Sequence, residues 1–180
     1  MTSRVLVAGV GNIFLGDDGF GVEVARRLAT ESLPEWVRVA DYGISGLHLA
    51  YDLADGYETT ILIDATTRGD DPGTVYVIEL DHAAQAGGMA GPAGRGQLFD
   101  GHGMQPDVVF GALDMLGADA GRVLLVGCEP ASVDYGIGLS PPVTAAVGEA
   151  VRVVKDLIAA AGASEQSTAA APNRTGGGAR

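Results

Sequence analysis

At 180 residues, 47% hydrophobic and 19% charged, the chain has the length and composition of one globular domain with a sizeable core. Eleven basic residues against 23 acidic ones leave a net charge of −12 and a pI near 4.4, which argues against nucleic acid or an anionic membrane surface as partner. The lone cysteine, Cys128, excludes an internal disulfide and fits a reducing compartment.

Met1-Thr-Ser-Arg4 runs straight into the apolar stretch Val5–Val10, too short for a signal-peptide core. No apolar run approaches the roughly 20 residues that span a bilayer, so a soluble, cytoplasmic protein is expected. Val5–Val10 reads as a buried strand, and a glycine-rich turn with two adjacent acids, Asp17 and Asp18, follows it. Strand, glycine loop and helix suggest a phosphate cradle, but the spacing disagrees. After Gly9 and Gly11 the third glycine of a dinucleotide fingerprint is Phe14. Gly11 and Gly16 have the separation of a P-loop, yet Asp17 stands where the lysine belongs. Two carboxylates at a helix N-terminus repel phosphate; the loop suits a cation or water.

The periodicity predicts a helix over Asp18–Ala29 with Val22, Ala25 and Leu28 on one face, then a strand over Val37–Tyr42. A second helix, Ser45–Ala54, offers Leu47, Ala50, Tyr51 and Ala54, with Ser45 as its cap. Strands follow at Thr60–Ala65 and Thr74–Leu80. Ala83–Gly101, rich in Gly, Ala and Gln, reads as a long functional or mobile loop. A helix over Gln105–Leu116, a strand over Arg122–Gly127 and a long helix over Pro141–Ala161, opened by Ser140, complete the domain. Gly162–Arg180 has almost no apolar bulk and reads as a disordered tail, leaving 1–161 as a single domain. The strands are continuous apolar runs, as strands buried on both faces are. The expected architecture is therefore a doubly wound α/β/α sandwich: a mainly parallel twisted sheet of about five strands with helices on both faces.

In such a sheet ligands collect outside the carboxyl ends of the strands. The polar residues there are Asn12, Asp17, Asp18, Asp41, Asp64, Glu129 and, at the edge of the long loop, His102. Carboxylates converging with an imidazole form an oxygen-and-nitrogen site for a borderline divalent ion such as Zn²⁺ or Ni²⁺. Plainer readings stand beside each. Asp17 or Asp18 fits a helix N-cap; Asn12 and Asp41 fit turns; Glu129-Pro130 fits the start of a turn. His102 between glycines fits a polar loop residue, and His48 and His82 fit the surface. Asp64 resists such a reading, because a charge ending a wholly apolar strand has to be paired, capped or bound. Cys128 reads as a small buried hydrophobe, and no Gly-x-Ser-x-Gly elbow exists.

Taken together, Gly9-Val-Gly-Asn-Ile-Phe-Leu-Gly-Asp-Asp-Gly-Phe-Gly21, Asp41-Tyr-Gly-Ile-Ser-Gly-Leu47, Ile61-Leu-Ile-Asp-Ala65, the His102 loop and Gly127-Cys-Glu-Pro-Ala-Ser-Val-Asp-Tyr-Gly-Ile-Gly-Leu-Ser-Pro141 resemble the hydrogenase maturation proteases, from residue 4 to about 160. The resemblance implies an endopeptidase that trims a C-terminal extension from the nickel-loaded precursor of a nickel–iron hydrogenase large subunit. It implies Asp18, Asp64 and His102 as ligands of nickel carried by that substrate, with zinc or cadmium as substitutes. A nearby carboxylate, Asp17 or Asp41, is a candidate general base on chemical grounds. Some members carry glutamate where this chain has Asp18. Rival readings are another metal-dependent peptidase on the same frame, a nickel-site chaperone that does not cut and, weakest, a dinucleotide enzyme.

Overall fold

The computed structural model describes residues 4–80, 113, 115–117 and 119–169, with side chains to residue 163. Five strands make one sheet: β1 (Val5–Val10), β2 (Val37–Gly43), β3 (Thr59–Ala65), β4 (Val75–Leu80) and β5 (Arg122–Cys128). Their order is β2-β1-β3-β5-β4, with β4 alone antiparallel. Three helices are bounded: α1 (Phe20–Leu28), α2 (Gly46–Ala54) and α3 (Pro141–Ala169); a short 3-10 turn, Gly16–Gly19, precedes α1. Leu113 and 115–116 are helical where the third expected helix ends; the rest of that helix, the Ala83–Gly101 loop, His82 and His102 lie outside the described residues.

Alternation within the apolar runs supplies both faces of the sheet. Val5, Val7, Ile61, Ile63 and Val126 pack with Phe20, Val24 and Leu28 of α1 and with Val143, Val147, Val151 and Val154 of α3. Their neighbours Leu6, Ala8, Val10, Leu62 and Leu125 turn to the other side, against Leu49, Ala50 and Leu53 of α2 and Leu113. The doubly wound α/β class is the architecture observed. β1, β3 and β5 lie inside the sheet and are buried almost throughout, whereas the edge strands β2 and β4 are half-covered.

Two local expectations change. The buried face of α2 is Leu49, Ala50 and Leu53, not the stripe through Leu47 and Tyr51, both exposed. That turn of the helix sinks two leucines and leaves Tyr51 half-exposed. Ser45 occupies the N-cap but its side chain makes no capping hydrogen bond. At the other end of the chain, α3 continues past Ala161 to Ala169, so helix enters the stretch expected to be tail. The helix surface there meets a ring: Gly162 approaches Trp36 so closely that a Cβ would stand 3.0 Å from Cζ2.

Candidate functional site

The glycines of the first loop bring helix and sheet together. A Cβ on Gly21 would collide with the carbonyl oxygens of Ile63 and Val10, and one on Gly9 with that of Gly21. Thus the start of α1 lies directly on the ends of β1 and β3. Gly11 adopts φ 127°, a conformation that disfavours side chains, and a Cβ there would strike the Asp18 carbonyl oxygen. The same Cβ would stand 3.8 Å from Asp64 Oδ1, so the Gly11 backbone, Asp18 and the end of β3 share one small volume.

Asp18 is 2% exposed and is held from both sides of the turn: its Oδ2 accepts the Asn12 N–H at 2.7 Å, and its own N–H donates to the Leu15 carbonyl at 3.1 Å. Asp64 sits at the carboxyl end of β3, in register with Gly127 of β5, and is 5% exposed. Its Oδ1 has no hydrogen-bond partner among the described residues. Burial, then the neighbouring charge of Asp18, push its pKa well above the ordinary carboxylate range, against a smaller opposing pull from the Ala65 N–H. Two carboxylates closed off from water, one with an orphaned oxygen, make a site that favours a proton or a cation.

The adjacent acid does something else. Asp17, 1% exposed, accepts the N–H groups of Ala131 and Ser132 on Oδ2 at 2.8 and 3.2 Å. It also accepts the Ser140 N–H on Oδ1 at 2.6 Å and the Ser140 hydroxyl on Oδ2 at 2.9 Å. One carboxylate therefore ties the loop after β1 to both ends of the loop after β5, at the N-terminus of α3, where negative charge is favoured. Glu129, 4% exposed, ties the other flank, accepting from the Arg68 and Gly69 N–H groups at 2.7 and 3.3 Å. The sequence placed a turn at Glu129; the signal that exposed Asp64, an acid closing an apolar strand, applied equally to it.

Asp41 faces outward, 3.4 Å from Arg26 and accepting the Gly43 N–H at 3.0 Å. Asn12 makes a local turn, its Oδ1 accepting the Phe14 N–H. His48 is exposed on α2. The Cys128 thiol is fully buried, and burial followed by the charges of Asp17, Glu129 and Glu149 raises its pKa to about 12, which suits a core residue and not a nucleophile. The structure thus brings Asp18 and Asp64 together, gives Asp17 to the support of the loops and leaves Asp41 at the surface. Among the described residues no three His, Cys, Asp or Glu side chains gather as a metal-holding group; His102 is outside them.

The fold is an α/β sheet with a buried acid pair, Asp18 and Asp64, beyond the carboxyl ends of its central strands. A family model described as hydrogenase maturation protease matches residues 22–157. The chain is 36% identical over 159 residues to the hydrogenase expression/formation protein HupD of Rhodobacter capsulatus, covering 84% of this chain and 71% of that one. It is 30% identical over 152 residues to the hydrogenase 2 maturation protease of Escherichia coli, covering 84% and 88%. The solved structure of the hydrogenase maturating endopeptidase HybD from E. coli superposes with a TM-score of 0.72 at 30% identity, covering 88% of this chain and 94% of that one. The chain belongs to the hydrogenase maturation protease family, and it is an enzyme, a peptide-bond hydrolase of hydrogenase maturation. Among the described residues no helix is long and apolar enough to cross a membrane.

Proposed function

We propose that this endopeptidase works in the cytoplasm on the nickel-loaded precursor of a nickel–iron hydrogenase large subunit, removing a C-terminal extension with one cut, and that Asp18, Asp64 and His102 grip the nickel the precursor carries. The observation that carries this reading is Asp64: buried, with Oδ1 lacking a partner among the described residues, and under the charge of Asp18. Ionising both acids without a cation is unfavourable in so dry a place, and a divalent ion reverses the balance. Carboxylate oxygens and an imidazole nitrogen are donors that nickel accepts, with zinc or cadmium as substitutes.

On this reading the enzyme offers an incomplete ligand set and the substrate completes it. A precursor without nickel gives Asp18 and Asp64 nothing to hold, so cutting follows loading. Asp17 keeps the Asp18 turn in place by its four bonds to the loop after β5. The test is intact mass spectrometry of the precursor after incubation with the enzyme, with and without nickel. Loss of one C-terminal fragment in the loaded sample alone is expected. Equal cutting of both samples refutes the dependence on nickel, and processing at the wild-type rate by Asp64→Ala and Asp18→Ala removes the acid pair from the site.

A further inference from the structure

Large apolar side chains exposed on a rigid loop call for an explanation, because they forgo burial while the loop forgoes no order. Tyr135 is 93% and Ile137 81% exposed, and both lie between β5 and α3. The loop around them is fastened throughout. Asp17 holds Ala131 and Ser132 at its start and Ser140 at its end. The Ser132 hydroxyl donates to Asp134 Oδ2 at 2.8 Å and accepts the Asp134 N–H at 3.1 Å. In its middle, the Gly136 N–H donates to the Phe14 carbonyl at 2.9 Å and the Gly136 carbonyl accepts from Gly16 at 2.8 Å. Phe14, 55% exposed, is thereby set beside the pair.

The position is as telling as the rigidity. Phe14, Gly16 and Asp18 belong to one turn, so this apolar rim begins where the acid pair ends. At the opposite edge of the sheet the described loops, 29–36, 55–58 and 119–121, expose no large hydrophobic side chain, although Met115 and Leu116 in the helix before β5 are exposed. The charge pattern agrees. On a chain of net charge −12 the three rim side chains are uncharged, and the acid next to Tyr135, Asp134, accepts the Ser132 hydroxyl. A basic segment finds little here, whereas an apolar or aromatic one finds a preorganised seat.

We infer that Tyr135 and Ile137, with Phe14 beside them, are substrate-binding residues that seat an apolar segment of the precursor next to the bond being cut. The inference rests on the precursor reading above and names the surface that reads the substrate. An extended chain lying over the acid pair advances about 3.3 Å per residue, so side chains within a few residues of the cut reach the rim.

The experiment compares wild type, the double variant Tyr135→Ser with Ile137→Ser, and the conservative pair Tyr135→Phe with Ile137→Leu. Binding of nickel-loaded precursor is read by interferometry, cutting by mass, and folding by thermal melting. The serine pair is expected to weaken binding and raise KM about tenfold or more, at unchanged melting temperature, while the conservative pair stays within about threefold of wild type. Equal binding by all three proteins overturns the inference whether or not cutting is seen, and so does failure of the conservative pair to restore binding or a wild type that does not bind. A wild type that binds without cutting, with the serine pair still weakened, upholds the rim and removes the proposed cut of this precursor instead.

Discussion

Replacing Asp64 by asparagine should make the metal-free protein more stable while abolishing processing. Asn is nearly the same size, so the packing at the end of β3 is kept. What changes is charge: the buried carboxylate, its Oδ1 lacking a partner among the described residues, becomes neutral beside Asp18. Removing a buried charge that stands beside a like charge is worth about 1–3 kcal/mol once the still-buried amide is allowed for. At 150–250 residues each kcal/mol moves the midpoint by about 2–4 °C, so a gain near 2 kcal/mol reads as about 6 °C. The sign with pH follows from the direction of the shift. The folded-state pKa of Asp64 lies above its unfolded value, so the ionised group weakens the fold fully above the folded pKa. That penalty fades as pH falls through the folded pKa and is gone below the unfolded one. The advantage of Asp64→Asn is therefore greatest in mildly alkaline buffer and shrinks toward acid. Urea unfolding with a chelator present, at about pH 8 and pH 5 with the slope m compared, reads it directly. A variant no more stable than wild type at the higher pH refutes the claim that Asp64 is held as an unfavourable charge.

Asp17→Ala strips the acceptor from three backbone N–H groups and one hydroxyl, and charge-assisted bonds of this kind contribute about 1.5–3 kcal/mol each before rehydration offsets part of the loss. A net destabilisation of about 4 kcal/mol is expected in urea, and a loss under about 1 kcal/mol would show the two loops to be held by other means. Gly21→Ala drives a methyl into the carbonyls of Ile63 and Val10. Backbone on both sides has to yield, which costs about 1–3 kcal/mol and displaces the strand end that carries Asp64, so melting temperature and processing should fall together. An unchanged melting temperature would mean that α1 does not lie as close to the sheet as described.

The frame was legible because β1, β3 and β5 are apolar at nearly every position, and only strands covered on both faces are built so. The direction of β4 was not legible: Val75–Leu80 looks like any other apolar strand, and its antiparallel pairing with β5 leaves no mark in its own residues. Asp64 could be picked out by position, since it closes a central apolar strand, and the Asp17-Asp18 pair by its place in the loop after β1. Asp17 could not be told from Asp18, because its partners lie more than a hundred residues away and leave no local pattern. Glu129 was hidden for a similar reason, its partners Arg68 and Gly69 being joined to it only by the folding of the sheet. The face of α2 failed differently: Leu47 and Leu49 are both apolar, and periodicity over so short a helix does not choose between neighbouring stripes.

The four bonds converging on Asp17 also determine how this edge of the molecule comes apart. Because one side chain closes both ends of the loop after β5 onto the turn that holds Asp18, neither lip can peel away while the other stays. Backbone bonds from Asp17 to Ser132 and between Gly136 and Phe14 and Gly16 join the same junction, so its bonds strengthen one another. Under mild heating or denaturant the mouth of the enzyme should therefore open as a unit, with the amide protons of Ala131, Ser132 and Ser140 exchanging in a single shared event.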